Sequence, residues 1–361
     1  MMIQNKTTEF YRGFSFFFVA LRLAVFFSVL ILPFISCQSA PDVSNPFIEE
    51  TNILPLDSGA SAYIFANVQE ARPILDVLPI EELKEKQAKQ ILDKTDFIAA
   101  AVFPKADAAN TQDGESASAA DDKRYQLAAW GSYPGSKADF AFTFSKGWKK
   151  QRSAKGYNYW HSAANKLSIA MNSKQAFVVV SEKAREPSTA LSPGTAAEIP
   201  EGFAEFRRQS GKAAPLSCWL ENPGPVIDKA LKEAGVPVRF PVQKLFINLY
   251  QQPASGAFLQ RDMDGRNLRY EAIIRLQLES VSQARGLAAL LNLAAGFFST
   301  QNRNETADNE EHGGSQDSGN DSIMASLFMA NPPVQNGRSL DFKTAPLSEN
   351  ELSLLLKMFL L

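Results

Sequence analysis

The sequence predicts an α+β fold of two related units, each an antiparallel sheet with helices packed on one face. Three observations predict it. Short apolar runs of strand length alternate with segments whose apolar residues recur at helical spacing. The order of these segments in the first half recurs in the second. Between the halves, residues 184–200 carry Pro187, Pro193 and Pro200 among Ser, Thr and Gly, a composition that interrupts regular structure. A chain of 361 residues is long enough for two domains of ordinary size.

The N-terminus is an address rather than part of the fold. Lys6, Arg12 and Arg22 precede an uncharged run from Leu23 to Ile35, then Ser36 and Cys37. That run suits a secretory h-region of about 7–15 residues better than a membrane span of about 20. The end of it, Phe34-Ile35-Ser36-Cys37, resembles a bacterial lipoprotein signal. Phe34 stands where Leu is commonest, and relaxed versions of this kind resemble those of spirochaetal lipoproteins. The resemblance implies that residues 1–36 are a cleaved signal peptide and that Cys37 carries the lipid. Acyl chains such as palmitate, at ~0.8 kcal/mol per buried CH₂, would then anchor the protein in the cell envelope, at the inner or the outer membrane. The alternative is an uncleaved anchor over Phe14–Ile35, broken only by Arg22.

Residues 37–58, rich in Ser, Pro, Asn and Asp, are expected to be a flexible tether, and residues 59–183 the first unit. Ala62–Ala66 is apolar and strand-like. Ala71, Ile74, Leu75 and Leu78 then fall at helical spacing, as do Ile80, Leu83, Ala88, Ile91 and Leu92. Ile98–Phe103 and Tyr125–Gly131 read as strands, with the small, polar stretch 105–124 as a mobile loop between them. Ser136 and Asp139 are candidate caps for a helix that presents Phe140, Phe144 and Trp148 on one side; alternation of Phe140, Phe142 and Phe144 keeps a strand open. Tyr157–His161, Leu167–Met171 and Ala176–Ser181 read as strands, the last two turning at Asn172-Ser173-Lys174.

Residues 184–200 are the expected linker and 201–361 the second unit. Pro225–Asp228 answers Pro73–Asp76, Leu245–Leu249 answers Ile98–Val102, and Tyr270–Ala272 answers Tyr125–Leu127, at a slowly drifting offset that suggests duplication. Asp264-Gly265 signals a hairpin between Phe258–Asp262 and Asn267–Leu278. Residues 300–321 are acidic and rich in Gly and Ser, and are expected to be a disordered insertion. Ser339–Lys343 reads as a strand. Ser348 and Glu351 form a capping box that opens a last helix.

Composition excludes several functions. With 37 basic and 39 acidic residues, net −2, the chain lacks the basic footprint of a nucleic-acid binder. It has two histidines and two cysteines, and no HExxH or CxxC spacing, so neither a metal nor another cofactor is expected. Cys218, in an apolar run, reads as a buried thiol. No nucleophile elbow, P-loop or dinucleotide fingerprint occurs, and the expectation is that the protein is not an enzyme.

One segment combines charge with aromatic groups. Between Lys146 and Trp160, Lys146, Lys149, Lys150, Arg152 and Lys155 stand with Trp148, Tyr157, Tyr159 and Trp160, and no acid intervenes. Such a set suits an anionic glycan or a lipid headgroup; equally, the aromatic groups could turn inward from a solvated loop. The run Ala284–Phe298 is nearly apolar all round, which fits a buried helix or lipid contact. The leading expectation is a non-enzymatic binding or structural lipoprotein. Its partners would be the membrane, through the N-terminal lipid, and an envelope protein, glycan or lipid. The alternative is a carrier of lipid or another hydrophobic ligand, or a membrane-inserting protein, that uses the apolar helices 284–298 and 348–361.

Overall fold

The computed structural model describes residues 42–48, 51–77, 86–103, 124–181, 185–187, 196–209, 211–224, 242–253, 268–293 and 332–353. The signal sequence with Cys37, the polar stretch 105–123, Pro225–Asp228, the Asp264-Gly265 turn, the 300–321 insertion and residues 354–361 lie outside the described residues. The chain divides into two compact units, Met1–Gln209 and Ser210–Leu361.

The first unit runs β1 (Ile53–Asp57), β2 (Ala62–Asn67), α1 (Val68–Val77), α2 (Lys86–Leu92), β3 (Thr95–Phe103), β4 (Arg124–Gly131) and α3 (Gly135–Phe144). It continues β5 (Lys149–Arg152), β6 (Asn158–Ser162), β7 (Leu167–Met171), β8 (Gln175–Val180), β9 (Ala196–Glu198) and α4 (Phe203–Arg207). Its main sheet has the order β2-β3-β4-β8-β7-β6-β5. Every neighbouring pair is antiparallel. The turns expected from sequence shape it. Asn172 Oδ1 accepts from the backbone N–H of Lys174 and Gln175, at 2.8 and 2.7 Å, and so closes the β7–β8 hairpin.

Residues opposed across antiparallel strands share a face. One face carries Tyr125, Val180 and Val178, Ile169 and Trp160. These form a core with Phe142 of α3 and with Trp148. The other face carries Phe65, Ala99, Ala128 and Phe177. It is covered as well. Phe47 stacks on Phe65, with ring centroids 3.6 Å apart, and the Arg207 guanidinium of α4 lies 4.1 Å from the Phe65 ring centroid. Asp57 of β1 reaches Gln126 with both its backbone N–H and its carboxylate.

The expectation of helices on one face alone is therefore corrected for this unit. Strand β8 is buried at every position, so both of its sides need cover. The stretch expected to be a tether also holds structure. Residues Ile53–Asp57 form β1 and pair with β9, itself inside the expected linker, and Leu54 and Leu56 are core residues.

Helix α3 resolves the choice between helix and strand at Phe140–Phe144. It has no side-chain cap: the N-cap is Pro134, and Ser136 and Asp139 lie inside the helix. Its buried residues are Gly135, Ala141 and Phe142, whereas Phe140 is 46% and Phe144 72% exposed. The inward stripe is Ala138–Ala141–Phe142, in which small alanines let the helix approach the sheet and one Phe fills the gap.

In the second unit β10 (Leu216–Glu221), β11 (Val242–Pro253), β12 (Leu268–Leu278), β13 (Val334–Asn336) and β14 (Ser339–Lys343) form an antiparallel sheet in the order β13-β14-β12-β11-β10. Across it, Cys218, Ile247, Ile274 and Phe342 share one face. On the other face the Arg275 guanidinium donates twice to the Asp341 carboxylate, at 2.6 and 2.8 Å. Burial raises the Cys218 thiol to about 12, so it stays protonated and inert, as its apolar neighbours suggest. Residues 281–293 form a helix, α5. The capping box is formed as read: Ser348 N–H donates to Glu351 Oε2 at 2.7 Å and Glu351 N–H to Ser348 Oγ at 3.3 Å.

Candidate functional site

The Lys146–Trp160 segment is the end of the first unit's sheet. Strand β5 is its edge, and all four residues of β5 are exposed. Its register with β6 sets Lys150 opposite Trp160 and Lys149 opposite His161. Alternation therefore sends Lys150 to the α3 side and Lys149 to the other.

The sequence-predicted residues separate into two groups. Lys146, Lys149, Lys150, Arg152 and Lys155 are all exposed. Trp148 and Trp160 are not part of a surface: both are buried, with ring centroids 4.6 and 5.9 Å from that of Phe142. The Trp160 indole N–H donates to Asp139 Oδ1 at 2.8 Å, and Lys150 Nζ meets the same carboxylate at 3.2 Å and lies over the indole. Tyr157 and Tyr159 are half-buried, and the Tyr157 hydroxyl donates to Glu186 Oε1 at 2.7 Å. The expected mixture of cations and four aromatic rings is thus not one surface.

The aromatic surface lies instead on α3. Phe140 and Phe144, one turn apart, pack against each other with centroids 4.6 Å apart and face solvent. A hydrophobic pair left out of a core it could have joined marks an interaction surface more often than a scattered apolar residue does. From Gly135 to Ser162 the chain carries six basic side chains and one acid, Asp139. An exposed aromatic pair and an excess of positive charge therefore share one helix–hairpin segment. The sequence groups Phe140 and Phe144 with Trp148 on one side of a helix; the structure buries Trp148 and leaves the two Phe rings in solvent. Ala138 and Ala141, at helical spacing with Phe142, were the signal for the side that faces the sheet.

His161 Nδ1 and Ser168 Oγ are 3.0 Å apart on adjacent strands, but Ser168 is only 2% exposed. Burial and the cation of Lys149 hold the His161 imidazole below its ordinary range, against a backbone hydrogen bond at Leu167 that raises it. Among the described residues, no three of His, Cys, Asp and Glu converge as a metal site would require. No helix among them is long and apolar enough to cross a membrane.

The family model of the outer membrane-associated lipoprotein TP0453 matches residues 50–282. The chain belongs to this family. The lipoprotein resemblance of the N-terminus agrees with it, and the TP0453 family name places its members in the cell envelope, associated with the outer membrane. Three solved crystal forms of TP0453 are similar in structure. Form III is 16% identical, covering 84% of this chain and 96% of that one, with a TM-score of 0.48. Form I is 15% identical with the same coverage and a TM-score of 0.47. Form IV is 17% identical, covering 87% and 99%, with a TM-score of 0.49. No curated protein matches the chain.

Proposed function

We propose that this protein is a non-enzymatic lipoprotein, anchored through Cys37, that lays the α3–β5–β6 segment against the surface of the membrane. The observation that carries the reading is the exposed Phe140–Phe144 pair within a segment that has six bases and one acid. Aromatic rings enter the headgroup region while Lys and Arg meet anionic lipid. The two halves are further read as duplicated units. Strands β2, β3 and β4 lead into α3 as β10, β11 and β12 lead into α5, with β3–β4 and β11–β12 both antiparallel neighbours.

The test is co-sedimentation of residues 38–361 with vesicles of zwitterionic lipid containing an anionic component. Phe140→Ser with Phe144→Ser should weaken binding at least tenfold, since one fully buried Phe is worth about 1.5–3 kcal/mol. Folding should be unaffected, because neither ring is in the core. Equal binding by the variant and the parent chain would sink the proposal.

A second reading has its own observation. On α5, Ala284 and Leu287 are buried, whereas Leu290 is 45% and Leu293 60% exposed. A helix with exposed leucines suits a lipid carrier or an inserting protein. Native mass spectrometry of residues 38–361, followed by solvent extraction, would show bound lipid at fixed stoichiometry if that reading holds. A clean apo mass would leave the surface-contact reading alone.

A further inference from the structure

The first described residues do not lead away from the fold. They are fastened to one end of it. Val43 N–H donates to Gln175 Oε1 at 2.9 Å. The Val43 carbonyl accepts from the Trp130 indole N–H at 3.2 Å and from Gln175 Nε2. Asp42 pairs with Lys174 at 3.4 Å. Further on, Asn45 is buried and Phe47 stacks on Phe65.

These partners sit together. Gly131 N–H donates to the Lys174 carbonyl and Tyr133 N–H to the Ser173 carbonyl, so the ends of β4 and β7–β8 coincide. Strand register adds the β5–β6 turn, because Arg152 opposes Asn158 and Trp160 opposes Ile169, two residues before Met171. One end of the sheet therefore carries the 172–174 turn and the 153–157 turn. The other end carries the 163–166 turn, since Ser162 opposes Leu167.

Resting on the reading that Cys37 bears the lipid, we infer that this end of the first unit is held on a short leash at the bilayer surface, and so faces it. Asp42 follows Cys37 by five residues. Five residues span at most roughly 18 Å. The eight residues of β4, whose Trp130 end holds Val43, cover about 27 Å, so a leash of this length does not let the opposite end of that strand face the anchor. The partner of this surface is the phospholipid headgroup layer in which the anchor sits. A leash of this length does not depend on Phe140 and Phe144, and it persists when they are removed.

The experiment uses the full lipidated chain in vesicles carrying a headgroup quencher. Single cysteines for a fluorophore are placed at Ser173 and Lys155, on the leashed end, or at Ala164, on the far end. All three positions are exposed, and native Cys218 is buried. Labels at 173 and 155 should be quenched at least threefold more than the label at 164. Every chain also carries Phe140→Ser and Phe144→Ser, so that the aromatic pair cannot set the orientation. Insertion of twelve Gly/Ser residues after Ser39 should then level the three signals. Equal quenching without the insertion, or a gradient that survives it, overturns the inference. Absence of lipid on Cys37, read by mass spectrometry of the same protein, would instead overturn the anchoring on which it rests.

Discussion

Asp139 shows how one side chain can tie a surface to a core. Its carboxylate accepts from the buried Trp160 indole and pairs with the exposed Lys150. Asp139→Ala leaves the indole N–H without this acceptor, a loss of about 1–3 kcal/mol. The urea midpoint should fall accordingly, and tryptophan fluorescence should report the change directly. Lys150→Ala, which removes an exposed ion pair and the cation over the indole, should cost about 1 kcal/mol or less. His161 gives a pH dependence of definite sign. Burial and Lys149 favour its neutral form in the folded state. Its contribution to stability is therefore full above the ordinary imidazole value of 6.5 and is lost as pH falls below it. A urea titration series from pH 8 to pH 5 should show a steeper decline for the parent chain than for His161→Gln. Parallel curves would mean that the imidazole has the same affinity for protons folded and unfolded.

At the scale of elements, the join between β4 and α3 depends on two glycines with no room for a side chain. A Cβ on Gly135 would lie 2.8 Å from the Asn172 carbonyl carbon, and one on Gly131 would overlap the Lys94 carbonyl. Both obstacles are backbone and cannot swing aside. Gly135→Ala should destabilise the first unit by about 1–3 kcal/mol in urea melts, with Gly131→Ala at least as severe. A control at Gly286, where a Cβ meets nothing within 4 Å, should be neutral or stabilising, as befits Ala in a helix. These crowded glycines were invisible in the sequence, because closeness of β4 to the 93–95 and 172–174 turns is a long-range fact. What was legible were the strands themselves. Leu167–Met171 and Ser339–Lys343 match the reading end to end, because alternation and flanking turn residues agree there. The Ser348–Glu351 box was legible because both of its bonds are local. Helix α3 was half legible: a helix competed with a strand, and its orientation was set by the fit of Phe142 against Trp148 and Trp160, which no local pattern encodes. The order within residues 42–48 and 51–57 was missed for the same reason. Val43, Phe47 and Asp57 are held by Gln175, Phe65 and Gln126, all distant in sequence.

For the whole molecule, charge provides the sharpest discrimination. The chain is net negative, so an anionic bilayer repels it on average. Electrostatic attraction to such a surface must then come from local excess charge, and the β5–β6 hairpin is where Lys149, Arg152 and Lys155 stand exposed, with Lys146 just before it. The Debye length is about 8 Å at physiological ionic strength and about 3 Å at 1 M salt. At the lower salt the hairpin meets the headgroups before the rest of the chain is felt; at the higher salt neither contributes. Each basic residue near an anionic surface is worth about 1 kcal/mol. Replacing Lys146, Lys149, Arg152 and Lys155 together with Gln should therefore weaken binding of residues 38–361 to anionic vesicles by a factor on the order of a hundred or more. The same replacement should remove most of the salt dependence, while binding to purely zwitterionic vesicles, carried by Phe140 and Phe144, stays unchanged. If the parent chain binds anionic vesicles equally at 0.15 M and 1 M salt, the cations contribute nothing and the aromatic pair alone makes the contact. If the Gln variant loses zwitterionic binding too, the hairpin supports the position of α3 rather than touching lipid.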